Sequence, residues 1–111
     1  MKLSTILAAV WTALILILCS IPGNELPSVQ IVSLDKFIHA GLFAVFAILW
    51  LRDRPKSPQR IKWVIIGGIA YGILTEFYQD WFTVGRSADP LDAVANTIGL
   101  VLGIGLDWLR R

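Results

Sequence analysis

The chain has few of the residues that build disulfides and thiolate or histidine metal centres. Its 111 residues include one cysteine, Cys19, and one histidine, His39. A single thiol excludes an intrachain disulfide and a metal cluster built on thiolates. Charged residues are also scarce, at 16% against 56% hydrophobic residues, and the mean hydropathy is +0.68. This balance is too apolar for an ordinary soluble domain, so the composition predicts one compact unit in a membrane.

Four long apolar runs fill most of the chain. Residues 3–21 carry no charge, and as a helix they would cover roughly 28 Å, close to a hydrocarbon core of about 30 Å. A cleaved signal peptide is the alternative for this run, but no small-x-small cleavage site precedes Pro22. Cys19 is not a lipoprotein acceptor, because bulky Leu18 precedes it. We therefore predict an all-α integral membrane four-helix bundle, with helices at about 3–21, 34–51, 61–79 and 90–109.

The segment between the second and third helices, residues 52–62, is predicted to lie outside the bilayer. It reads RDRPKSPQRIK, and its two prolines and five basic residues do not suit a bilayer core. The chain ends and this second loop carry eight basic and two acidic residues, whereas the first and third loops with their flanking helical turns carry two basic and six acidic residues. Because cytoplasmic loops are enriched in Lys and Arg, both termini are predicted in the cytoplasm and residues 76–96 outside.

Glycine pairs spaced i, i+4 predict close helix packing in lipid. These pairs are Gly68 with Gly72 on the third helix and Gly99 with Gly103 on the fourth. Glu76 and Gln79 continue the first glycine face by helical periodicity, and Asp92 and Asn96 continue the second. If the two glycine faces pack together, these polar groups point into the bundle, where intramembrane polarity is tolerated.

The start of the second helix carries Asp35, Lys36 and His39. Asp35 and His39 are spaced i, i+4, so both can face one partner, with Lys36 beside them. A helix start with Ser33 as N-cap would also explain Asp35, through a favourable interaction with the helix dipole. A lone histidine in an apolar helix is usually a packing residue, yet His39 lies one turn from the outer surface. Both a packing role and a site role stay open for it.

The loop before the fourth helix has structural explanations for some of its acids. Asp89 as N-cap and Asp92 in the first turn fit a helix start, so capping is an alternative to a site role for both. It does not account for Glu76, which at the edge of hydrocarbon needs a partner, either Arg86 or a ligand. Asn96 either joins helices through its amide or contributes to a site.

Three motifs in this order resemble the VanZ-like family of small multi-helix membrane proteins. They are DK-x-x-H at 35–39, E-x-x-Q at 76–79 and R-x-x-D-x-x-D-x-x-x-N at 86–96, and the resemblance covers nearly the whole chain. The family is named for a protein linked to resistance to the glycopeptide teicoplanin. The resemblance implies a multi-pass protein of the bacterial inner (plasma) membrane, associated with the cell envelope, and raises an effect on teicoplanin susceptibility as an expectation.

The first functional hypothesis is a binding protein whose outward pocket recognises an anionic or zwitterionic lipid headgroup or a lipid-linked cell-wall precursor. Lys36, Arg86 and His39 would contact phosphate, and the acids would hold these cations in place. The predicted ligand-binding residues are Asp35, Lys36, His39, Glu76, Gln79, Arg86, Asp89, Asp92 and Asn96.

The second hypothesis is a membrane-embedded, metal-assisted hydrolase or transferase acting on a lipid-linked phosphate. His39, Glu76 and Asp92 are its candidate catalytic residues, and Glu76, Asp89 and Asp92 could hold a divalent cation. Against it, the sequence has no HExxH, no second histidine and no paired-arginine phosphatase signature. The sequence therefore leaves enzymatic activity open and predicts no cofactor beyond that cation.

A third hypothesis is transport or proton relay through Glu76 and His39. Four short helices leave little room for alternating access within one chain, so this function would need a homo-oligomer. A purely structural bundle is the remaining alternative, although it explains poorly why the polarity collects at one end. No nucleic-acid partner is predicted, because the basic residues lie between apolar runs rather than on one exposed face.

Overall fold

The computed structural model describes residues 2–19, 32–53, 58–82 and 90–109. Apart from Lys2, this part of the chain is helical and contains no strand, which confirms the all-α prediction. The four helices are α1 (Leu3–Cys19), α2 (Val32–Asp53), α3 (Pro58–Phe82) and α4 (Pro90–Leu109).

Two of these helices are long and apolar enough to cross a membrane. They are α3, with 25 residues, and α4, with 20 residues. α1 is strongly apolar but has 17 residues, and α2 carries charged residues near both of its ends. Length and composition therefore support two membrane-crossing helices, where the sequence predicted four.

The boundaries of α2 and α3 correct two predictions. α2 begins at Val32, so Ser33 lies within its first turn and is not the N-cap. α3 begins at Pro58, so residues 58–62 are helical although they were predicted to belong to a connector. Proline is well tolerated in the first turn of a helix, because its missing N–H would have no partner there. Residues 54–57 lie outside the described part of the chain.

Contacts at the helix ends give the direction of each helix. Lys2, before α1, lies near Asp53 at the end of α2, with Nζ 3.7 Å from Oδ1. Arg52 Nε lies 3.7 Å from Oδ1 of Asp107, near the end of α4. At the opposite end of the bundle Lys36 near the start of α2 pairs with Asp92 in the first turn of α4. Thus α2 and α4 run parallel, and α1 runs antiparallel to α2.

The glycines of α4 pack against α2, so the condition considered from the sequence, that the two glycine faces pack against each other, is not met. A Cβ on Gly99 would overlap the carbonyl oxygen of Ala40, and one on Gly103 would overlap that of Ala44. On α3, by contrast, a Cβ on Gly68 would come within 2.5 Å of the Leu100 side chain. The i, i+4 spacing of the glycines correctly identified positions of close helix packing, but it could not say which helix packs against each glycine pair.

Hydrogen bonds from large side chains attach α1 to the bundle. Trp11 Nε1 donates to the Leu42 carbonyl at 2.9 Å, and Trp50 Nε1 donates to Thr12 Oγ1 at 3.0 Å. The Tyr71 hydroxyl donates to the Thr12 carbonyl at 2.5 Å. These bonds link α1 to α2 and α3 far from either polar end of the bundle.

Candidate functional site

Six polar side chains from three helices converge near the starts of α2 and α4 and the end of α3. Five of them are buried, with exposed fractions of 2–6%, and the lysine side chain is 20% exposed. We call this group the polar site. Its members are Lys36 and His39 on α2, Glu76 and Gln79 on α3, and Asp92 and Asn96 on α4.

The close approach of the helices follows from small residues one or two turns away. Gly72 lies against Asn96, since a Cβ there would be 3.2 Å from Asn96 Nδ2. Gly99 brings the α4 backbone against Ala40, next to His39 in sequence. The absence of side chains at these two positions lets the longer polar groups of three helices reach one another.

His39 joins α2 to α4 through Asn96. His39 Nδ1 lies 3.1 Å from Asn96 Oδ1, and because that oxygen only accepts hydrogen bonds, Nδ1 is the ring nitrogen that donates. His39 Nε2 then faces Asp92, with Oδ2 at 3.7 Å. This distance is longer than a hydrogen bond, so Nε2 and Oδ2 lie close together without a hydrogen bond between these two atoms.

Asp92 also receives a hydrogen bond from Lys36. Lys36 Nζ donates to Asp92 Oδ1, and the two side chains are only 20% and 7% exposed. An ion pair that is largely shielded from water is much less screened by salt than an exposed one. The two oxygens of Asp92 therefore have different surroundings: Oδ1 lies against the ammonium and Oδ2 lies towards the imidazole.

Two amide nitrogens of the site are buried without a hydrogen-bond partner. They are Gln79 Nε2 and Asn96 Nδ2, each on a side chain that is 2% exposed. Leaving a buried N–H donor unsatisfied costs about 1–3 kcal/mol. The site therefore holds donors that a ligand oxygen could satisfy.

Glu76 completes an acidic and imidazole cluster. One ligand atom each from His39, Glu76 and Asp92 lies within 4.8 Å of the other two, and all three residues are buried. Carboxylate oxygens and an imidazole nitrogen at this spacing can hold a metal ion or exchange protons with a substrate. These three are also the candidate catalytic residues predicted from the sequence.

Three predicted site residues are not placed by the structure. Arg86 and Asp89 lie outside the described residues, and Asp35 is described only as a backbone position within α2. Their roles, including the predicted contact between Arg86 and Glu76, stay predictions.

Sequence reasoning missed the polar contacts at the other end of the bundle. Asp53 accepts hydrogen bonds from Ser4 Oγ, at 3.0 Å, and from Thr5 Oγ1. Asp107 on α4 is 3% exposed and lies beside Arg52. One signal was available, because Asp107 follows Gly103 at i+4 and so continues the buried face of α4.

An apolar groove between α3 and α4 borders the polar site. It has a volume of about 290 Å³, and its mostly apolar wall, which includes Ile73 and Val94, also contains Asn96 and Thr97. The Ile73 and Val94 side chains are 44% and 52% exposed at the surface of the bundle. The groove thus connects the outer surface of the helices with a side chain of the polar site.

The whole chain was compared with known proteins and protein families, which tests the family resemblance suggested by the three motifs. Searches of curated proteins and of solved structures found no match to the chain. A family description, VanZ/LLP1, matches residues 3–111, which is the full length of the chain apart from its first two residues. The resemblance drawn from the three motifs is confirmed, and the chain belongs to the VanZ/LLP1 family of cell-envelope proteins.

Proposed function

We propose that this protein binds the headgroup of a phosphate-bearing membrane lipid, or of a lipid-linked cell-wall precursor, at the polar site. In this proposal the chain crosses the inner membrane several times, both termini are cytoplasmic, and the polar site lies near the outer surface. The division of charge supports this orientation, because Lys2 and Arg52, which belong to the basic chain start and the basic second loop, lie at the end of the bundle opposite the polar site.

The observation that carries the proposal is the pair of buried amide donors, Gln79 Nε2 and Asn96 Nδ2. A phosphate group offers several acceptor oxygens, and hydrogen bonds from protein donors to an ionised oxygen are roughly twice as strong as neutral ones. Lys36 adds an ammonium to the same site. Binding a phosphate would therefore satisfy donors that are costly to leave buried and unsatisfied.

The charge of the site favours a zwitterionic headgroup over a purely anionic one. Among its described residues, Glu76 and Asp92 are acidic and Lys36 is basic. A headgroup with an amine beside its phosphate would place the amine near Glu76 and the phosphate near the amide donors. Arg86 remains a proposed further contact with the phosphate.

The apolar groove supports a lipid rather than a soluble phosphate as the ligand. Asn96 belongs both to the groove wall and to the polar site. A lipid bound with its headgroup at the site could place the first part of its hydrocarbon chain in the groove, in contact with exposed residues such as Ile73. A soluble anion would gain nothing from this surface.

Native mass spectrometry of the gently purified full-length protein tests the proposal. Wild type should retain a phosphate-bearing lipid, and Lys36→Met and Gln79→Leu should each lose it by about tenfold or more, equivalent to about 1.4 kcal/mol. Lys2→Met is the matched control, because it removes a lysine that pairs with an aspartate at the other end of the bundle. Equal lipid retention by wild type and both folded site variants would contradict the proposal.

A second candidate function is hydrolysis or transfer at a lipid-linked phosphate. The observation that favours it is the position of His39 Nε2, 3.7 Å from Oδ2 of the buried Asp92, with Nδ1 held by Asn96 and with Glu76 in the same cluster. In this orientation Nε2 could accept a proton from an attacking water or hydroxyl group. Wild-type protein should then release phosphate from phospholipid or prenyl-phosphate substrates, and His39→Gln should not. Absence of turnover by wild type would exclude this function for those substrates.

An effect on susceptibility to glycopeptides such as teicoplanin is the expected cellular consequence if the ligand is a cell-wall precursor. Deletion of the gene and complementation with wild type or Lys36→Met would test it. A change that wild type restores and the variant does not would link susceptibility to the polar site.

A further inference from the structure

Three buried side chains from three different helices meet in the polar site, close enough together to hold a metal ion. The ligand atoms of His39, Glu76 and Asp92 all lie within 4.8 Å of one another. Ligands that share a tetrahedral Zn²⁺, at about 2.0–2.1 Å each, are roughly 3.4 Å apart. His39 Nε2 and Asp92 Oδ2 are already 3.7 Å apart, which is too long for a hydrogen bond and close to the spacing around a common cation.

The orientation of His39 also suits a metal ligand. Asn96 Oδ1 accepts from Nδ1 at 3.1 Å, so in the neutral imidazole Nε2 carries the lone pair, and this nitrogen lies 3.7 Å from Asp92 Oδ2. Metal-binding histidines almost always donate their other ring N–H to an oxygen acceptor in this way, which holds the ring in position. Asn96 is therefore a positioning residue for Nε2 rather than a ligand.

The electrostatics of the cluster favour a cation at its centre. Glu76 and Asp92 are 6% and 5% exposed, and two carboxylates this close together repel each other strongly in a poorly solvated setting. A divalent cation between them would offset that repulsion. The buried amide nitrogens of Gln79 and Asn96, which have no hydrogen-bond partner, could donate to a water or phosphate oxygen that completes the coordination.

From these observations we propose that His39, Glu76 and Asp92 bind a divalent transition-metal cation of the Zn²⁺ class. The set of one imidazole and two carboxylates favours such a metal over Mg²⁺ or Ca²⁺, which prefer oxygen ligands. Three protein ligands leave a coordination position for an exogenous oxygen, as in catalytic zinc sites. The inference stands on the geometry of the cluster and does not depend on lipid binding.

Lys36 separates this inference from the lipid proposal. Its ammonium donates to Asp92 Oδ1, so it competes with a cation for the charge of that carboxylate. Lys36→Met should tighten Zn²⁺ binding several-fold, whereas the same variant should weaken binding of a phosphate headgroup. A protein that binds lipid but no metal, or metal but no lipid, would contradict one proposal and leave the other standing.

The test is a Zn²⁺ titration of the full-length protein in detergent after removal of metal with a chelator, with bound metal measured by mass spectrometry. Wild type should bind about one Zn²⁺ per chain, and Asp92→Asn and His39→Gln should weaken binding by about tenfold or more. Asp107→Asn is the matched control, because Asp107 is an equally buried carboxylate on the same helix at the other end. Circular dichroism should show that all three variants keep their helices.

Two results would overturn the inference. One is the absence of stoichiometric Zn²⁺ binding by folded wild-type protein. The other is an equal loss of binding in Asp92→Asn and Asp107→Asn, which would place the metal elsewhere or make its binding non-specific. Asn96→Leu gives an independent check, because losing the bond that orients His39 should weaken binding by about 10–100-fold while all three ligands remain.

Discussion

The two ends of the bundle use similar polar residues in different ways. One end of the bundle contains the start of α1 and the end of α2. There the backbone carbonyl of Asp53 accepts a hydrogen bond from Lys2, and its carboxylate accepts hydrogen bonds from Ser4 and Thr5. At the other end, Gln79 and Asn96 each have a buried nitrogen without a hydrogen-bond partner. The hydrogen bonds of Asp53 join two helices, whereas the amide nitrogens of Gln79 and Asn96 can donate to a ligand.

Asp92 and Asp107 show the same contrast on a single helix. Both belong to the buried face of α4, with exposed fractions of 5% and 3%, and each lies near a basic residue of α2. Asp92 also lies in a cluster with a histidine and a second carboxylate. Burial and pairing alone therefore do not distinguish a site from a helix contact; the remaining neighbours do.

The opposite end is not without an unsatisfied group. Arg60, in the first turn of α3, has Nη1 buried without a hydrogen-bond partner. The difference between the two ends therefore depends on the whole set of neighbours, and three substitutions test it.

The largest effect is expected where α4 packs closely against α2, at Gly99. Gly99→Leu would force a side chain into the Ala40 backbone, which cannot move aside as a flexible side chain could, so we expect a loss of about 3 kcal/mol or more. Lipid and metal binding should disappear together with the folded protein. Unfolding in detergent, followed by circular dichroism, measures the effect.

Gly105→Leu is the control for that substitution. Gly105 lies on the same helix, is exposed, and a Cβ there would meet nothing within 4 Å. It should leave stability nearly unchanged. A large loss in Gly105→Leu would mean that this face of α4 is covered, for example by a second copy of the chain.

An intermediate effect is expected from Asp53→Ala. The substitution removes the acceptor for the part-buried hydroxyls of Ser4 and Thr5, and each lost hydrogen bond contributes about 0.5–1.5 kcal/mol to stability. Stability should fall while Zn²⁺ affinity and lipid retention, measured on the fraction that stays folded, remain as in wild type. Asp92→Ala should reduce Zn²⁺ affinity and lipid retention more than it reduces stability. Similar binding defects in both variants would contradict the distinction between the two ends.

The smallest effect, and the most specific, is expected from Gln79→Leu. An apolar residue of similar size removes a buried donor without a partner, so the ligand-free protein should gain up to about 1 kcal/mol. The stabilisation produced by added lipid should shrink at the same time. Gln59→Leu, at an exposed position of the same helix, is the control, and destabilisation by Gln79→Leu alone would assign Gln79 a structural role.

Much of the fold was predictable because long apolar runs separated by charged segments are a strong sequence signal for helices. The long apolar runs marked four helices, and the start of α4 at Pro90 was predicted from its turn chemistry. The ends of α2 and α3 were less predictable, since charged and proline-containing residues are also tolerated in terminal helical turns. Helical periodicity also placed Glu76, Gln79, Asp92 and Asn96 on inward faces, and all four are buried.

The set of helices, the family and the helix faces that carry polar groups follow from the amino-acid sequence alone, because these depend on local spacing. Which faces meet was decided only by the tertiary structure. Gly99 packs against Ala40 of α2 rather than against α3, and this contact places Asn96 beside His39. The cluster of His39, Glu76 and Asp92 exists because three helices bring together residues far apart in the chain, and spacing within one helix carries no information about that encounter.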